Sequence, residues 1–300
     1  MAGPVKKPKA PNHSFRVATD AIRGGYRRER EARLGPRLDA RREIARSLAP
    51  EAAVLIFRDT AFATCPPGTL AGVPAVVQFA RDTVGRVDIE QMKRKANKPF
   101  MMKLLGTDSL GLDSALLRLG LERSIVASAA AYLGIVPILQ YANVFYSSYS
   151  GEEAVKSQLL HCDSDDTEQM KIFVLCDEVT PESGPLTFVP PAPSETLREL
   201  SGYKYKTRLT DARARELVGE AGAGIPILGP AGTAAFLDTS RCFHFGSRFA
   251  DVTSRRVVAM LQYVTPLAFI LPDDYWTGAQ FRHLATSATD ELTNLVLGAS

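Results

Sequence analysis

A chain of 300 residues, 45% hydrophobic and 23% charged, has enough apolar material for a large core and the balance of an ordinary soluble protein. Its net charge of +3 is too small to imply a nucleic-acid partner, and no segment approaches the ~18 uninterrupted apolar residues of a membrane span. Four cysteines, at 65, 162, 176 and 242, follow neither a paired metal-binding spacing nor a small disulfide framework, which predicts reduced thiols and a cytoplasmic protein.

The charge is uneven. Residues 1–48 hold thirteen Lys or Arg against five Asp or Glu, a balance of +8, so the remainder carries −5. Residues 1–35 therefore read as a basic, partly disordered N-terminal arm, solvated or able to steer an anionic partner. Its first residues, MAGPVKKPKAPNH, lack the apolar stretch of a signal peptide. Residues 36–300 read as one domain. Within it, 36–48 carry Leu38, Ile44 and Leu48 among charges, an amphipathic helix ended by Pro50. AVLIF (53–57) predicts a short strand. Residues 113–133 predict the clearest helix, capped by Asp113 and stopped by Gly134.

Beyond that helix the pattern becomes β-rich. IVPILQYANVFYSS (135–148), QLLHCD (158–163), KIFVLCDEV (171–179), PLTFVP (185–190), GPAGTAAFLDTS (229–240) and RRVVAMLQYVTP (255–266) read as strands, and 283–298 as a closing helix. Helices followed by strands at short intervals suit an antiparallel sandwich or barrel with flanking helices, not alternating βαβ units. Gly24-Gly25 follows no strand, so no phosphate-binding loop is expected there.

His161-Cys162-Asp163 is the chemically richest motif. On a strand, side chains two apart share a face, so His161 and Asp163 can reach one ion while Cys162 turns away. His244 would complete a facial set of two imidazoles and one carboxylate, which leaves positions open on a non-haem iron. The bland alternative is a chance triplet of structurally satisfied side chains. Arg255 and Arg256 follow, at the head of a strand, facing opposite sides. One of them can point inward and hold a carboxylate with a planar guanidinium, unless both are solvated. Tyr141 and Asn143 share a face of the preceding strand and are further candidates for co-substrate contact, or else ordinary packing. Arg241 and Arg248 flank His244 and are candidates for holding an anionic small-molecule substrate, or else surface residues. Cys242 reads as a buried inert thiol.

The segments LLHCDSDD, KIFVLCDEVTPESGPLTFVPPAPS, GPAGTAAFLDTSRCFHFGS and SRRVV resemble the iron(II)/2-oxoglutarate-dependent oxygenases, and within them the phytanoyl-CoA dioxygenase-like family. The resemblance spans roughly residues 135–266. It departs from the family where Pro190-Pro191-Ala192-Pro193-Ser194 stands in place of a Pro-Gly-Ser-His element. HFGSR likewise replaces the commoner His-Gly-Ser-Gly. It implies a mainly β protein with a double-stranded β-helix (jelly-roll, cupin-like) core at 135–266 and helical flanks. It also implies Fe(II) on His161, Asp163 and His244, with 2-oxoglutarate and O2 as co-substrates. In the family the co-substrate arginine usually follows the distal histidine by eleven positions, which falls on Arg255, with Arg256 the alternative. The implied activity is a dioxygenase that hydroxylates a small molecule. A carboxylate at position 163, where related halogenases have a small residue, argues against halogenation. The lid over the site is expected from the N-terminal half and from 195–225. Two other readings stay open. One is a non-catalytic metal-binding jelly roll. The other is a cupin-type metalloenzyme without 2-oxoglutarate, for which His283 is poorly placed.

Overall fold

The computed structural model describes residues 18–299 apart from 107, 150, 152 and 272. The chain opens with α1 (Asp20–Leu48), capped by Thr19, whose side chain accepts from the Ile22 amide. Arg, Glu, Ala and Leu dominate it, and Ile22 and Ile44 are its β-branched residues, so helix is the favoured state despite the internal Pro36. Residues 20–35 of the expected arm are thus the first half of a helix, and residues 1–17 lie outside the described residues. The arginines explain the difference. Arg23, Arg30 and Arg41 lie on the same buried stripe as Leu34, Leu38, Ala45 and Leu48. Arg23 donates to the Ser164 and Asp166 carbonyls, Arg30 to those of Ala268 and Asp273, and Arg41 to those of Val136, Leu295 and Ala299. Each guanidinium supplies donors to backbone oxygens that no regular ladder satisfies.

The remaining elements follow as β1 (Phe62–Cys65), α2 (Val73–Gly85), α3 (Ile89–Lys95), β2 (Met102–Lys103), α4 (Ala115–Leu121), α5 (Arg123–Leu133), β3 (Ile138–Ser148), β4 (Gln169–Leu175), β5 (Thr187–Phe188), α6 (Pro191–Leu200), α7 (Asp211–Val218), β6 (Ile225–Pro226), β7 (Ala234–Leu237), β8 (His244–Phe245), β9 (Arg255–Val264) and α8 (Glu291–Val296). The helix expected over 113–133 is broken at Glu122 into α4 and α5. Ser114, not Asp113, caps α4, while Gly134 ends α5 at φ +70°, where glycine has no steric penalty. Residues 53–57 form no strand. The Ala53 and Val54 amides donate to Ser124 and Ser128 of α5, which leaves Leu55 and Phe57 exposed.

Two antiparallel sheets make the core. The larger runs β1-β7-β4-β9-β3-β2 and the smaller β6-β5-β8. A bridge between His161 and His244 adds the segment around 161 to the smaller sheet beside β8. From β3 onward the chain passes to the smaller sheet at 161 and back to the larger at β4. It then crosses to β5 and β6, returns for β7, crosses to β8 and ends in β9. That course is a jelly roll, a double-stranded β-helix. Among the described residues helix outweighs strand, 38% against 18%: α2, α4 and α5 pack on the larger sheet, and α1 packs on α5. Gly120 allows α4 to sit close, since a Cβ there would lie 3.1 Å from Leu139 and Leu261 of the sheet. A second apolar cluster, including Leu160, Cys162, Leu197, Tyr203 and Phe243, joins α6 and α7 to the outer side of the smaller sheet. No helix among the described residues is long and apolar enough to cross a membrane.

Arg41→Met keeps the length of the stem but removes the donors to three carbonyls. It is expected to lower unfolding free energy by about 3 kcal/mol in urea titration. Exposed Arg28→Met should shift it by about 0.5 kcal/mol or less. Equal stability of the two variants would mean that water replaces the guanidinium.

Candidate metal centre

His161 and His244 face each other as a hydrogen-bonded antiparallel pair. The His161 amide donates to the His244 carbonyl at 3.1 Å, and the His244 amide to that of His161 at 2.9 Å. Directly opposed residues project from the same face, and the two rings lie 4.3 Å apart between centroids. Each ring makes the same second contact. His161 Nδ1 is 2.9 Å from the Leu159 carbonyl, and His244 Nδ1 is 3.1 Å from that of Cys242. A carbonyl can only accept, so each Nδ1 carries the proton and each Nε2 presents a lone pair. Burial lowers the pKa of both imidazoles. For His161 the field of His244 adds to it, and in both the pull of Asp163 is outweighed. Both rings are neutral at neutral pH, the state in which imidazole binds a metal.

Asp163 leaves the bridge two residues after His161, its amide held by the Thr239 carbonyl at 2.9 Å. Its Oδ2 accepts from Lys171 Nζ at 2.6 Å and Gln169 Nε2 at 3.0 Å, and lies 3.8 Å from His244 Nε2. Burial alone would raise the carboxyl pKa. Lys171 and the two histidines outweigh it and hold the group well below the usual carboxylate range. Ligand atoms of His161, Asp163 and His244 all lie within 4.8 Å of one another. Two neutral imidazoles and one carboxylate at that spacing fit a divalent cation with open positions, of the iron(II) type. Cys162 turns to the opposite face, where its amide meets Tyr203 Oη and its sulfur meets Arg198. Burial pushes its thiol up to about 12, so it is an unreactive core residue. Cys242 is likewise buried in the main core, its thiol raised by burial.

The three residues open onto a cavity of about 480 Å³ between the sheets, within the range of small-molecule sites. Arg256 lines it; Arg255 does not, and is exposed. Arg255, eleven residues after His244, therefore faces away from the cavity, and the alternative, Arg256, faces it. Arg256 pairs across the sheet with Ser147, whose side chain also faces the cavity, and strand alternation sends Arg255 outward. The Arg256 guanidinium donates to the Gly184 carbonyl and to Ser247 Oγ at 3.1 Å, its Nε is buried without a partner, and it meets no carboxylate among the described residues. Burial pushes its pKa down to about 10.

Other candidates separate. Tyr141 lines the cavity. Its hydroxyl is buried without a hydrogen-bond partner within 3.5 Å, and burial pushes it up to about 12. Asn143 is consumed by both backbone groups of Leu105 and ties down the segment after β2. Arg241 donates to the Arg58 carbonyl and Tyr132 Oη, and Arg248 to the Gln158 carbonyl and Asp211, so neither faces the cavity. Both flank His244 in sequence, but the turns on either side of it carry them outward. Of the two segments expected to supply a lid, the N-terminal half contributes to the cavity lining and 195–225 does not. Lys98, Met101 and Lys103 from the N-terminal half line the mouth, whereas α6 and α7 pack behind the smaller sheet. Lys171, Gln169 and Gln262 were missed. Alternation along β4 and β9 from the neighbouring cavity residues was the available signal.

No protein-family model and no curated protein matches the chain. Solved structures resemble it only distantly, at low identity and with TM-scores below 0.5. EctD from S. alaskensis, in its apoform, is 16% identical with a TM-score of 0.49, over 71% of this chain and 78% of that one. The non-heme alpha ketoglutarate dependent epimerase SnoN from nogalamycin biosynthesis is 17% identical, TM-score 0.45, over 74% and 83%. HygX from Streptomyces hygroscopicus, with nickel and 2-oxoglutarate bound, is 14% identical, TM-score 0.45, over 70% and 84%. Likenesses of this size leave the chemistry to be argued from the residues themselves.

Replacing His161 or Asp163 by Ala should reduce divalent-metal affinity at least ~100-fold in calorimetry with iron(II) or manganese(II), since two ligands seldom hold such an ion. Wild-type affinity in either variant would rule out this centre.

Proposed function

We propose that the protein is a non-haem iron(II)- and 2-oxoglutarate-dependent dioxygenase that hydroxylates a small molecule. One observation carries the reading. A buried guanidinium without a carboxylate partner, Arg256, lines the same cavity as a preorganised His-Asp-His set. Leaving a charge buried and unpaired is costly, so a dicarboxylate that reaches both the metal and Arg256 accounts for both features at once.

When bound, iron(II) with 2-oxoglutarate and oxygen supplies oxidative decarboxylation to succinate and carbon dioxide, coupled to oxidation of a substrate carbon. The chain's own residues do the rest. His161 and His244 would each offer Nε2, oriented by the carbonyls behind Nδ1. Asp163 would offer its carboxylate, steadied by Lys171 and Gln169, which donate to Oδ2. The far carboxylate of the co-substrate would take the Arg256 fork, helped by the Ser147 and Ser247 hydroxyls, which lie 3.1 Å apart beside it. Leu175, Leu186, Ile227 and Val258 line that part of the cavity and keep water from the paired charges.

Anaerobic calorimetry with the iron(II) protein should therefore detect 2-oxoglutarate. Arg256→Met is expected to weaken it at least ~10-fold, the scale of about 1.4 kcal/mol or more lost with a charged hydrogen-bonded pair. Arg255→Met should stay within about twofold of wild type, as expected for an exposed side chain. Equal effects from the two arginines, or no 2-oxoglutarate binding to the wild type, would defeat the reading.

A further inference from the structure

The charged side chains that line the cavity are Lys98, Lys103, Lys171 and Arg256 against Asp163 and Asp165, four cations to two carboxylates. Four of the six are already engaged, Asp165 by Gln262 at 3.0 Å among them. Lys171 is paired with Asp163 at 2.6 Å, and Arg256 is assigned above to the co-substrate. A divalent metal and a dicarboxylate cancel, so loading the site leaves the excess of two positive charges in place. That excess falls on Lys98 and Lys103. Neither meets a carboxylate among the described residues. Lys98 Nζ has only Ser157 Oγ at 3.5 Å, and Lys103 Nζ lies 4.6 Å over the Tyr141 ring.

Their position is at the mouth, Lys98 between α3 and β2 and partly covered, Lys103 in β2 and open to solvent. The Lys103 stem starts opposite Phe145, but its ammonium reaches back to Tyr141. Tyr141 pairs with Gln262, and Ser147 with Arg256. Those two rows are six residues apart along the strand, about 20 Å at roughly 3.3 Å per residue. Lys103 thus stands at the opposite end of the cavity from the arginine, beside Lys171, which pairs with the same Gln262. Burial lowers both ammonium pKa values. At Lys98, Arg208, Lys156 and, least, Lys103 add to it against the pull of Asp163; at Lys103, Lys171 adds to it against the pull of Asp165. An anion placed between them would relieve this repulsion, and the same rim of cations would draw an anion toward the mouth.

We propose that the oxidised substrate carries a carboxylate, or a like anionic group, that docks between Lys98 and Lys103 at the mouth of the cavity, with its reacting carbon directed inward to the His161–Asp163–His244 centre. This deepens the oxygenase reading and rests on it. The pair holds the substrate and takes no part in the chemistry itself.

The test is calorimetry on protein saturated with manganese(II) and 2-oxoglutarate. The probes are acetate, benzoate and decanoate, each compared with its primary amide. At least one carboxylate is expected to bind at least tenfold more tightly than its amide. Lys98→Met/Lys103→Met should weaken that carboxylate at least tenfold, and by more than it weakens 2-oxoglutarate, and Lys98→Arg/Lys103→Arg should restore it. Carboxylates that bind no better than amides, or not at all, overturn the proposal, as does a double Met variant that binds them like the wild type. A double variant that loses 2-oxoglutarate as strongly as the probe overturns it too, by assigning the lysines to the co-substrate. If the wild type takes up neither metal nor 2-oxoglutarate, the oxygenase reading fails. The same probe titration on the protein alone then decides the lysine pair by the same criteria.

Discussion

The reciprocal pair of hydrogen bonds between the His161 and His244 backbones is the constraint on which the site depends. It joins two segments far apart in sequence and makes them directly opposed residues of one sheet. Opposed residues have no freedom to point to different faces, so the two imidazoles meet as soon as the strands pair. The same alternation sends Cys162 and Phe243, one residue before each imidazole's partner position or after it, into the apolar cluster under α6 and α7. Burial on one face fixes the register, and the register fixes the ligands on the other. A slip of one residue would exchange a metal centre for a thiol and a phenyl ring.

The third ligand needs more, because Asp163 lies where the bridge has ended. Its amide is caught by Thr239, within a turn organised by Asp238. That buried carboxylate accepts from the Ser240 and Arg241 amides and from Tyr132 Oη. Onward from Asp163 the chain is irregular, and α1 stabilises it. Arg23 takes the Ser164 and Asp166 carbonyls, and Arg27 takes the Asp166 carboxylate, which also accepts from Thr265 at the end of β9. A helix at the other end of the described chain therefore sets the path of the backbone that carries a proposed metal ligand. Irregular backbone beside a ligand set needs external donors, and the five-donor guanidinium fork supplies them without competing for the metal.

This is also where reading the sequence reached its limit. The triad was legible because period two and residue chemistry suffice to put His161 and Asp163 together and Cys162 apart. β3, β4 and β9 were legible because they are long and apolar, and Gly134 because only a left-handed stop asks for glycine there. The first half of α1 was not. Buried arginines at helical spacing have the composition of a solvated arm, and their partners are carbonyls, which leave no mark in a sequence. AVLIF had strand composition, but the Ser124 and Ser128 partners on α5 claimed its first amides. Arg241 and Arg248 looked favourable by proximity to His244, yet proximity along a turn says nothing of direction.

The arginine pair shows most sharply what sequence spacing lacks. A count from His244 treats the connection between β8 and β9 as rigid, but that connection is a loop, and loops absorb single residues without altering the strands they join. Cross-strand register decides instead. Arg256, Val258, Met260 and Gln262 all face the cavity because they alternate along one strand, opposite Ser147, Phe145, Asn143 and Tyr141 of β3. One face of β9 thus runs from the buried cation, past apolar side chains, to an amide that touches Asp165 and Gln169. Under the proposed function, that order of polarity would put the dicarboxylate at the Arg256 end and the second substrate toward Gln262. A single strand sets that order, so reversing it would require moving the whole register.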